Sequence, residues 1–393
     1  MSVFALSLSL SVALAATPEG CLERYPGVGP APRERGMALG LFSMEPSFDY
    51  TPLVDEIASL GASHVSLVWV WWQDGLTSTE IYPKEGWTAT PEQLRGAIRA
   101  SRRRGLHVTV FPIARLVRPG PGEWRGKLAP ADEDAWWRSY DAYIETAAAI
   151  ADEEGAERLS VGSELLTREA MRTRWLRLTD RLRLAHPGLE LMYSANWDHY
   201  RPVRFWDLVD VVGLTGYWEV GRGRGRRPED LVGAWAAPLT ELRTLAGDVG
   251  RPVTLTEVGY PSLLGGLSFP WDETRDAPVS MEEQRMGLEL LAEALSGEPA
   301  VGSVYIWNWF GFGGPDDSGY TPRGKPGAEL IACWYGAAPG GAPSAFAWPA
   351  RASFRPSSPR STGPSPAASA SKLSPPLRLP RAERARRPAP ARP

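Results

Sequence analysis

The hydrophobic positions along the chain follow two alternating periods, one typical of buried strands and the other of amphipathic helices. Residues 64–72 are a continuous apolar run, as expected of a strand that is covered on both faces. Residues 48–60 instead place apolar side chains at helical spacing, and Gly61 follows where that helix should end. The same two patterns then recur. They predict strands over residues 36–42, 64–72, 106–113, 158–164, 189–196, 208–215, 252–259 and 302–309.

Helical patterns lie between these strands. They cover residues 48–60, 91–104, 132–154, 167–186, 228–245 and 280–295, with a short piece at 203–206 and a last helix that ends near 334. Alternating strands and helices predict a parallel sheet, and eight such units fit the closed (β/α)8 arrangement of a TIM barrel. The alternative is an open doubly wound sheet. It is disfavoured because no Gly-x-Gly-x-x-Gly turn follows the first strand.

The two ends of the chain differ in composition from the part between them. Residues 1–16 are apolar and rich in serine, are too short to span a membrane, and end in small residues typical of a signal-peptide cleavage site. The C-terminal part is rich in Pro, Ala, Ser and Arg and offers little apolar surface to bury. We therefore predict a secreted or periplasmic protein. Its organisation is a signal peptide over 1–16, a lead-in over 17–35, a barrel over 36–336 and a disordered tail over 337–393.

Charge and reactive side chains exclude several classes of function. The tail holds ten of the 43 Lys and Arg but only one of the 46 acidic residues, so the remainder is acidic and we expect no nucleic-acid partner. The four histidines show no metal-binding spacing, and no Gly-x-Ser-x-Gly motif is present. We expect neither a metal nor a cofactor. The two cysteines, Cys21 and Cys333, are either a disulfide or two buried thiols.

Two glutamates each stand where a predicted strand runs out. Glu164 ends the strand that starts at residue 158, and Glu257 precedes Gly259 in the strand that starts at residue 252. In a TIM barrel the C-terminal ends of all strands line one open face. Cleavage of a glycosidic bond needs two carboxyl groups, one to protonate the leaving oxygen and one to attack the anomeric carbon or activate water. The sequence therefore predicts one site that contains both glutamates.

The residues around these glutamates resemble a known group of enzymes. Residues 161–165 (Val-Gly-Ser-Glu-Leu) and 255–260 (Leu-Thr-Glu-Val-Gly-Tyr) are similar to clan A glycoside hydrolases, and more narrowly to family 113, whose characterised members are β-mannanases. The resemblance covers roughly residues 36–335. It implies a retaining mechanism with Glu164 as acid/base and Glu257 as nucleophile. Ser163 departs from the wider clan, which has Asn before the acid/base, and leaves that contact to the sugar 2-hydroxyl unassigned.

Further side chains at strand ends are candidates for substrate contacts. Trp307, in the eighth strand, is a candidate floor under the sugar beside the cleaved bond. Tyr217 follows the sixth strand, from which it can donate a hydrogen bond to Glu257 and hold that carboxylate ionised. The remaining candidates for hydroxyl and ring contacts are Asn196, Trp197, Trp72 and Asn308.

Together these features predict a monomeric, retaining glycoside hydrolase without a membrane span. Its predicted substrate is a β-1,4-linked, mannan-like polysaccharide or oligosaccharide, which it cleaves by double displacement. Two alternatives stay open at this point. One is a non-catalytic glycan-binding barrel, and the other is a hydrolase of another cell-wall or capsular glycan.

Overall fold

A closed barrel of eight parallel strands forms the centre of the protein. The computed structural model describes residues 20–337, without the side chains of residues 21 and 22. Each strand pairs with the next along the chain, and the last pairs with the first, which confirms the predicted (β/α)8 fold. The strands are β1 (Glu34–Gly40), β2 (His64–Gln73), β3 (His107–Leu116), β4 (Arg158–Ser163), β5 (Glu190–Ala195), β6 (Val211–Thr215), β7 (Val253–Val258) and β8 (Val301–Ile306).

Helices connect the strands, and several begin where the sequence places a capping residue. The hydroxyl of Thr90 accepts from the backbone of Gln93 in a full capping box, and Asp132 accepts from Ala135 at the start of the longest helix. The α-helices are α1 (Cys21–Arg24), α2 (Thr51–Ser59), α3 (Pro91–Arg103), α4 (Glu133–Glu153), α5 (Arg172–Ala185), α6 (Ala236–Val249), α7 (Met281–Leu295) and α8 (Pro326–Tyr335). Short 3-10 turns occupy Arg125–Lys127, Leu166–Arg168, Trp206–Leu208 and Pro228–Leu231.

Three helical predictions were wrong in detail. The segment predicted as one helix over 167–186 is a 3-10 turn followed by α5, because the chain must first cross the barrel rim after β4. The segment over 228–245 is likewise a 3-10 turn and then α6, and Gly233 between them has a φ of 72°, which ends the first turn. The piece predicted at 203–206 lies slightly later, at Trp206–Leu208.

Successive side chains of each strand point alternately into the barrel and outward to the helices. Trp69 and Trp71 of β2 face outward and contact Tyr143 of α4, with ring centroids 5.8 and 4.7 Å away. Trp72, next in sequence, belongs to a buried cluster inside the barrel. That cluster consists of Ala38, Val68, Val70, Trp72, Phe111, Ile113, Met192, Tyr217, Trp307 and Tyr320. The inner cluster thus contains three of the predicted site residues.

The predictions for the chain ends are tested only in part. The predicted signal peptide (1–16) and the tail from residue 338 onward lie outside the described residues. Cys333 in α8 is disulfide-bonded, so the alternative of two free thiols does not hold for it. Within residues 20–337, no helix combines the length and the apolarity that crossing a membrane requires.

Candidate active site

The structure brings the two predicted carboxyl groups to the same mouth of the barrel. Glu164 follows directly after β4, and Glu257 is the residue before the last in β7. Thr215, at the end of β6, connects them. Its hydroxyl donates to Oε1 of Glu164 over 2.8 Å, and its Cα pairs with that of Glu257 in the β6–β7 register. Thr215 therefore bonds to the side chain of Glu164 and is the backbone neighbour of Glu257 in the sheet.

Glu164 has an unusual backbone conformation. Its φ is 53°, and it is the only non-glycine residue with a positive φ within residues 20–337. Backbone hydrogen bonds hold it there, since its amide donates to the Ser194 carbonyl over 2.8 Å and the next amide, of Leu165, donates to the Tyr193 hydroxyl over 3.2 Å. The Tyr193 hydroxyl in turn donates to the buried carboxylate of Glu169. Conformations of this kind persist only where the surroundings impose them, and they cluster at active sites.

Three donors contact the side chain of Glu164. Besides Thr215, Asn196 donates to Oε1 over 3.2 Å, as its predicted place in the site suggests. Arg125 forms an ion pair with Oε2 over 2.6 Å and also donates to the Ser163 carbonyl. Arg125, which comes from the 3-10 turn after β3, was not predicted from the sequence. The hydroxyl of Ser163 is buried and has no hydrogen-bond partner among the described residues.

Glu257 is more isolated than Glu164. Tyr217 donates to its Oε2 over 3.1 Å, which is the hydrogen bond that the sequence predicts. Oε1 is buried without a hydrogen-bond partner in the part of the chain that the structure describes. Burial, and next the nearby charge of Glu164, raise the pKa of Glu257 to about 7, against the opposing effects of Arg125 and Tyr217. Tyr217 therefore favours the carboxylate, but it does not hold the group ionised on its own.

Aromatic rings surround the two carboxyl groups. Trp307 follows β8, is 8% exposed and contacts Phe42 with ring centroids 6.3 Å apart. Trp197, one residue after Asn196, stacks on Trp271 at 6.2 Å and an angle of 24°. Trp72 contacts Trp87 edge-on at 4.9 Å. Rings in these places suit the apolar faces of pyranoses.

Asn308 makes a contact within its own loop. Its peptide bond with Trp307 is cis, and its Oδ1 accepts a hydrogen bond from the amide of Phe310 over 2.8 Å. This bond orders the start of the β8–α8 loop, and the side chain is buried. The substrate contact of Asn308 stays a prediction.

Two further charged side chains lie near the mouth and were not predicted. Arg115, the last inward-facing residue of β3, pairs in register with Trp72 and lies 5.6 Å from its ring centroid. Burial lowers the pKa of Arg115 to about 10. Glu273, in the β7–α7 loop, has a pKa that burial raises to about 7, against the charge of Arg115.

Carboxylates of the mouth are not arranged as a metal site. Within residues 20–337 no group of three or more His, Cys, Asp or Glu side chains is placed to hold a metal ion. The contacts of Glu164 and Glu257 are instead N–H and O–H donors. This donor set supports proton transfer and nucleophilic attack by the carboxyl groups themselves.

Comparison with known proteins agrees with this geometry. The model of Glycoside Hydrolase Family 113 matches residues 49–313, which include both glutamates. The chain belongs to this family. Membership in family 113 confirms the family resemblance of the sequence motifs and makes the protein a glycoside hydrolase. No curated protein sequence matches the chain.

Solved structures of family 113 enzymes share the fold. The β-mannanase AaManA from Alicyclobacillus acidocaldarius, in complex with ManMIm, is 24% identical with a TM-score of 0.69, over 79% of this chain and 98% of that chain. A complex structure of a family 113 β-1,4-mannanase is 19% identical with a TM-score of 0.69, over 79% of this chain and 100% of the other. These neighbours support the barrel architecture of this family 113 protein.

Proposed function

We propose that this family 113 hydrolase is a retaining endo-β-1,4-mannanase. The observation that carries the proposal is the convergence of Glu164 and Glu257 on one aromatic-lined mouth, where Thr215 bonds to Glu164 and is paired in register with Glu257. The names of the structural neighbours support mannan as the substrate, because they are described as β-mannanases.

The proposed mechanism is a double displacement. A carboxylate oxygen of Glu257 attacks the anomeric carbon, and the bond to the leaving sugar breaks as Glu164 donates its proton to the glycosidic oxygen. Water then attacks the same carbon, gives its proton to Glu164, and releases Glu257 as carboxylate. The unpartnered Oε1 of Glu257 suits the role of nucleophile, since no donor occupies it among the described residues.

Arg125 has to change its contact during this reaction. In the free protein it occupies Oε2 of Glu164, the group that must carry a proton in the first step. Burial meanwhile favours a proton on Glu257, the group that must be ionised. We therefore expect the bound sugar to displace Arg125 from Oε2 of Glu164, so that this carboxyl group is available to the glycosidic oxygen.

A hydrolysis screen tests the proposal. Purified protein is incubated with mannan, glucomannan, xylan and cellulose, and reducing ends are measured with Glu257→Ala as control. We expect release of internal fragments from mannan that the control lacks. Binding without any hydrolysis would favour the glycan-binding barrel, and cleavage of a different polymer would favour a hydrolase of another glycan.

The stereochemistry of the product tests the mechanism separately. Proton NMR during cleavage of mannotetraose shows which anomer appears first. A β-anomer is the result expected of retention, for which the two carboxyl groups lie about 5–5.5 Å apart. An initial α-anomer would mean inversion and would refute the covalent intermediate on Glu257.

A further inference from the structure

Arg115 and Glu273 approach the catalytic mouth from opposite sides of the barrel. Arg115 ends the inward-facing row of β3, whereas Glu273 lies in the loop after β7, which is on the far side of the ring. Both side chains are half-buried. Arg115 lies over the ring of Trp72, which belongs to the same inner cluster as Tyr217, the donor to Glu257. The charge of Arg115 acts on both Glu257 and Glu273. The pair therefore borders the position at which Glu257 would hold a sugar.

Neither side chain has a partner that satisfies its charge directly. Within residues 20–337, Arg115 makes no hydrogen bond or ion pair, and its guanidinium lies over the ring of Trp72. The carboxylate of Glu273 likewise makes no hydrogen bond or ion pair there. Its Oε2 lies beside Gly319, 3.5 Å from the position that a Cβ on this glycine would take. The buried Arg323, by contrast, makes a bidentate contact with Glu56. Arg115 and Glu273 are half-buried and keep some exposed surface, so their polar atoms are available to a ligand in the mouth.

The charge of the mouth indicates what kind of ligand fits. Three carboxyl groups, of Glu164, Glu257 and Glu273, face two guanidinium groups, of Arg115 and Arg125. An acidic sugar would add a further carboxyl group to a set in which burial already disfavours negative charge on Glu257 and Glu273. A neutral sugar needs both a donor and an acceptor, because each hydroxyl accepts one hydrogen bond and donates another. Arg115 supplies only donors and Glu273 only acceptors.

We propose that Arg115 and Glu273 bind two adjacent hydroxyl groups of the neutral pyranose that Glu257 attacks, and so determine sugar specificity. In a β-1,4-linked chain these are the 2- and 3-hydroxyls, the adjacent pair that the linkage leaves free. Mannose and glucose differ in the direction of the 2-hydroxyl. The pair is therefore placed to distinguish them, and Trp72 orients the guanidinium by its ring contact. This inference rests on the proposed function.

Paired substitutions with matched controls test the role of the two residues. Arg115→Met and Glu273→Gln remove the charges, singly and together. Arg118→Met and Asp276→Asn make the same kinds of change at exposed positions a few residues further along the chain. The measurements are kcat and KM for mannotetraose and cellotetraose, with thermal unfolding to check that each variant folds. If Arg115→Met does not fold, Arg115→Lys, which keeps the charge but loses the planar fork, replaces it.

Each single variant is expected to lower kcat/KM for mannotetraose by roughly 10- to 100-fold, which is the range for a lost charged hydrogen bond. Since both residues hold one sugar, the double variant should lose much less than the product of the two single losses. The preference for mannotetraose over cellotetraose should fall as well. Single losses below about twofold, losses equal to those of the controls, or an unchanged preference would overturn the inference.

A binding measurement separates this inference from the proposed function. In the Glu257→Ala background, calorimetry measures the affinity for mannotetraose with and without Arg115→Met or Glu273→Gln. Weaker binding in the double variants supports the hydroxyl contacts even if the wild-type protein proves not to cleave mannan. Unchanged binding refutes them even if the wild-type protein is an active mannanase.

Discussion

Tyr217 offers a direct test of how the site sets the charge of Glu257. Its hydroxyl donates to Oε2 over 3.1 Å, and this is the only hydrogen bond to that carboxyl group among the described residues. The bond lowers the pKa of Glu257, whereas burial and the charge of Glu164 raise it to about 7. Replacing Tyr217 by Phe removes the donor and keeps the ring. The pKa of Glu257 should then rise further.

The size of this effect follows from the energy of the bond. A hydrogen bond to a charged acceptor contributes about 1.5–3 kcal/mol. One pH unit corresponds to about 1.4 kcal/mol, so the shift should be about one to two units. Glu257 must be ionised to attack, so activity is lost as pH falls through its pKa. The acidic limb of the pH–rate profile, near pH 7 in the wild-type protein, should therefore move to higher pH in Tyr217→Phe.

The assay is kcat/KM for mannotetraose measured between about pH 4 and pH 9. Tyr320→Phe is the matched control, because its ring lies 6.2 Å from that of Tyr217 while its hydroxyl donates to the Pro270 carbonyl instead of a carboxyl group. We expect the acidic limb of this control to stay in place. A limb that is unchanged in Tyr217→Phe, or that moves to lower pH, would refute the reasoning about charge.

Three further predictions concern the same site. Arg125→Met should also raise the pKa of Glu257, because the guanidinium charge lowers it, and the acidic limb should move up by about one unit; Arg118→Met should not move it. Glu257→Gln should stabilise the protein above pH 7 by on the order of 3 kcal/mol. The pKa of the wild-type carboxyl group is raised from 4.5 to about 7 in the folded state, so the wild-type protein loses stability as pH rises through the folded value. Thermal unfolding at pH 8 and pH 4.5 checks this, and an advantage of equal size at both values would contradict it. Thr215→Val keeps the β-branched shape but removes the donor to Glu164, so kcat/KM should fall about 10-fold, and an unchanged value would mean that the contact does not position the acid.

Most of the fold was accessible from the sequence because parallel strands have a strong local signature. A strand covered on both faces is apolar throughout, as in β2, and the helical pattern that follows β2 ends at Gly105. Tyr217 could be linked to Glu257 for the same reason, since β6 and β7 are neighbours in any barrel of this topology. The helix boundaries after β4 and β6 were wrong because the rim segments obey no period.

The site residues that were not predicted lie mostly in segments without a strand or helix period, so the sequence does not indicate where their side chains point. Arg125 stands in a 3-10 turn and Glu273 in a long loop, so their sequence positions do not reveal where the side chains point. Arg115 is different. It continues the inward-facing row of Phe111 and Ile113, and an arginine at the end of such a row is a signal that could have been found.

The sequence places two identical residues at equivalent strand ends, yet their surroundings make them chemically different. Both side chains are buried, but Glu164 accepts three hydrogen bonds, one of them from a guanidinium, while Glu257 accepts one among the described residues. Burial and the charge of Glu164 raise the pKa of Glu257 in the free protein, whereas the first step of retention requires this group to be ionised. A sugar that inserts between Arg125 and Glu164 would remove the donor that favours charge on the acid and expose Glu257 to the anomeric centre. The substrate would then determine which carboxyl group acts as acid and which as nucleophile. A structure with a bound, uncleaved oligosaccharide should show Arg125 separated from Glu164.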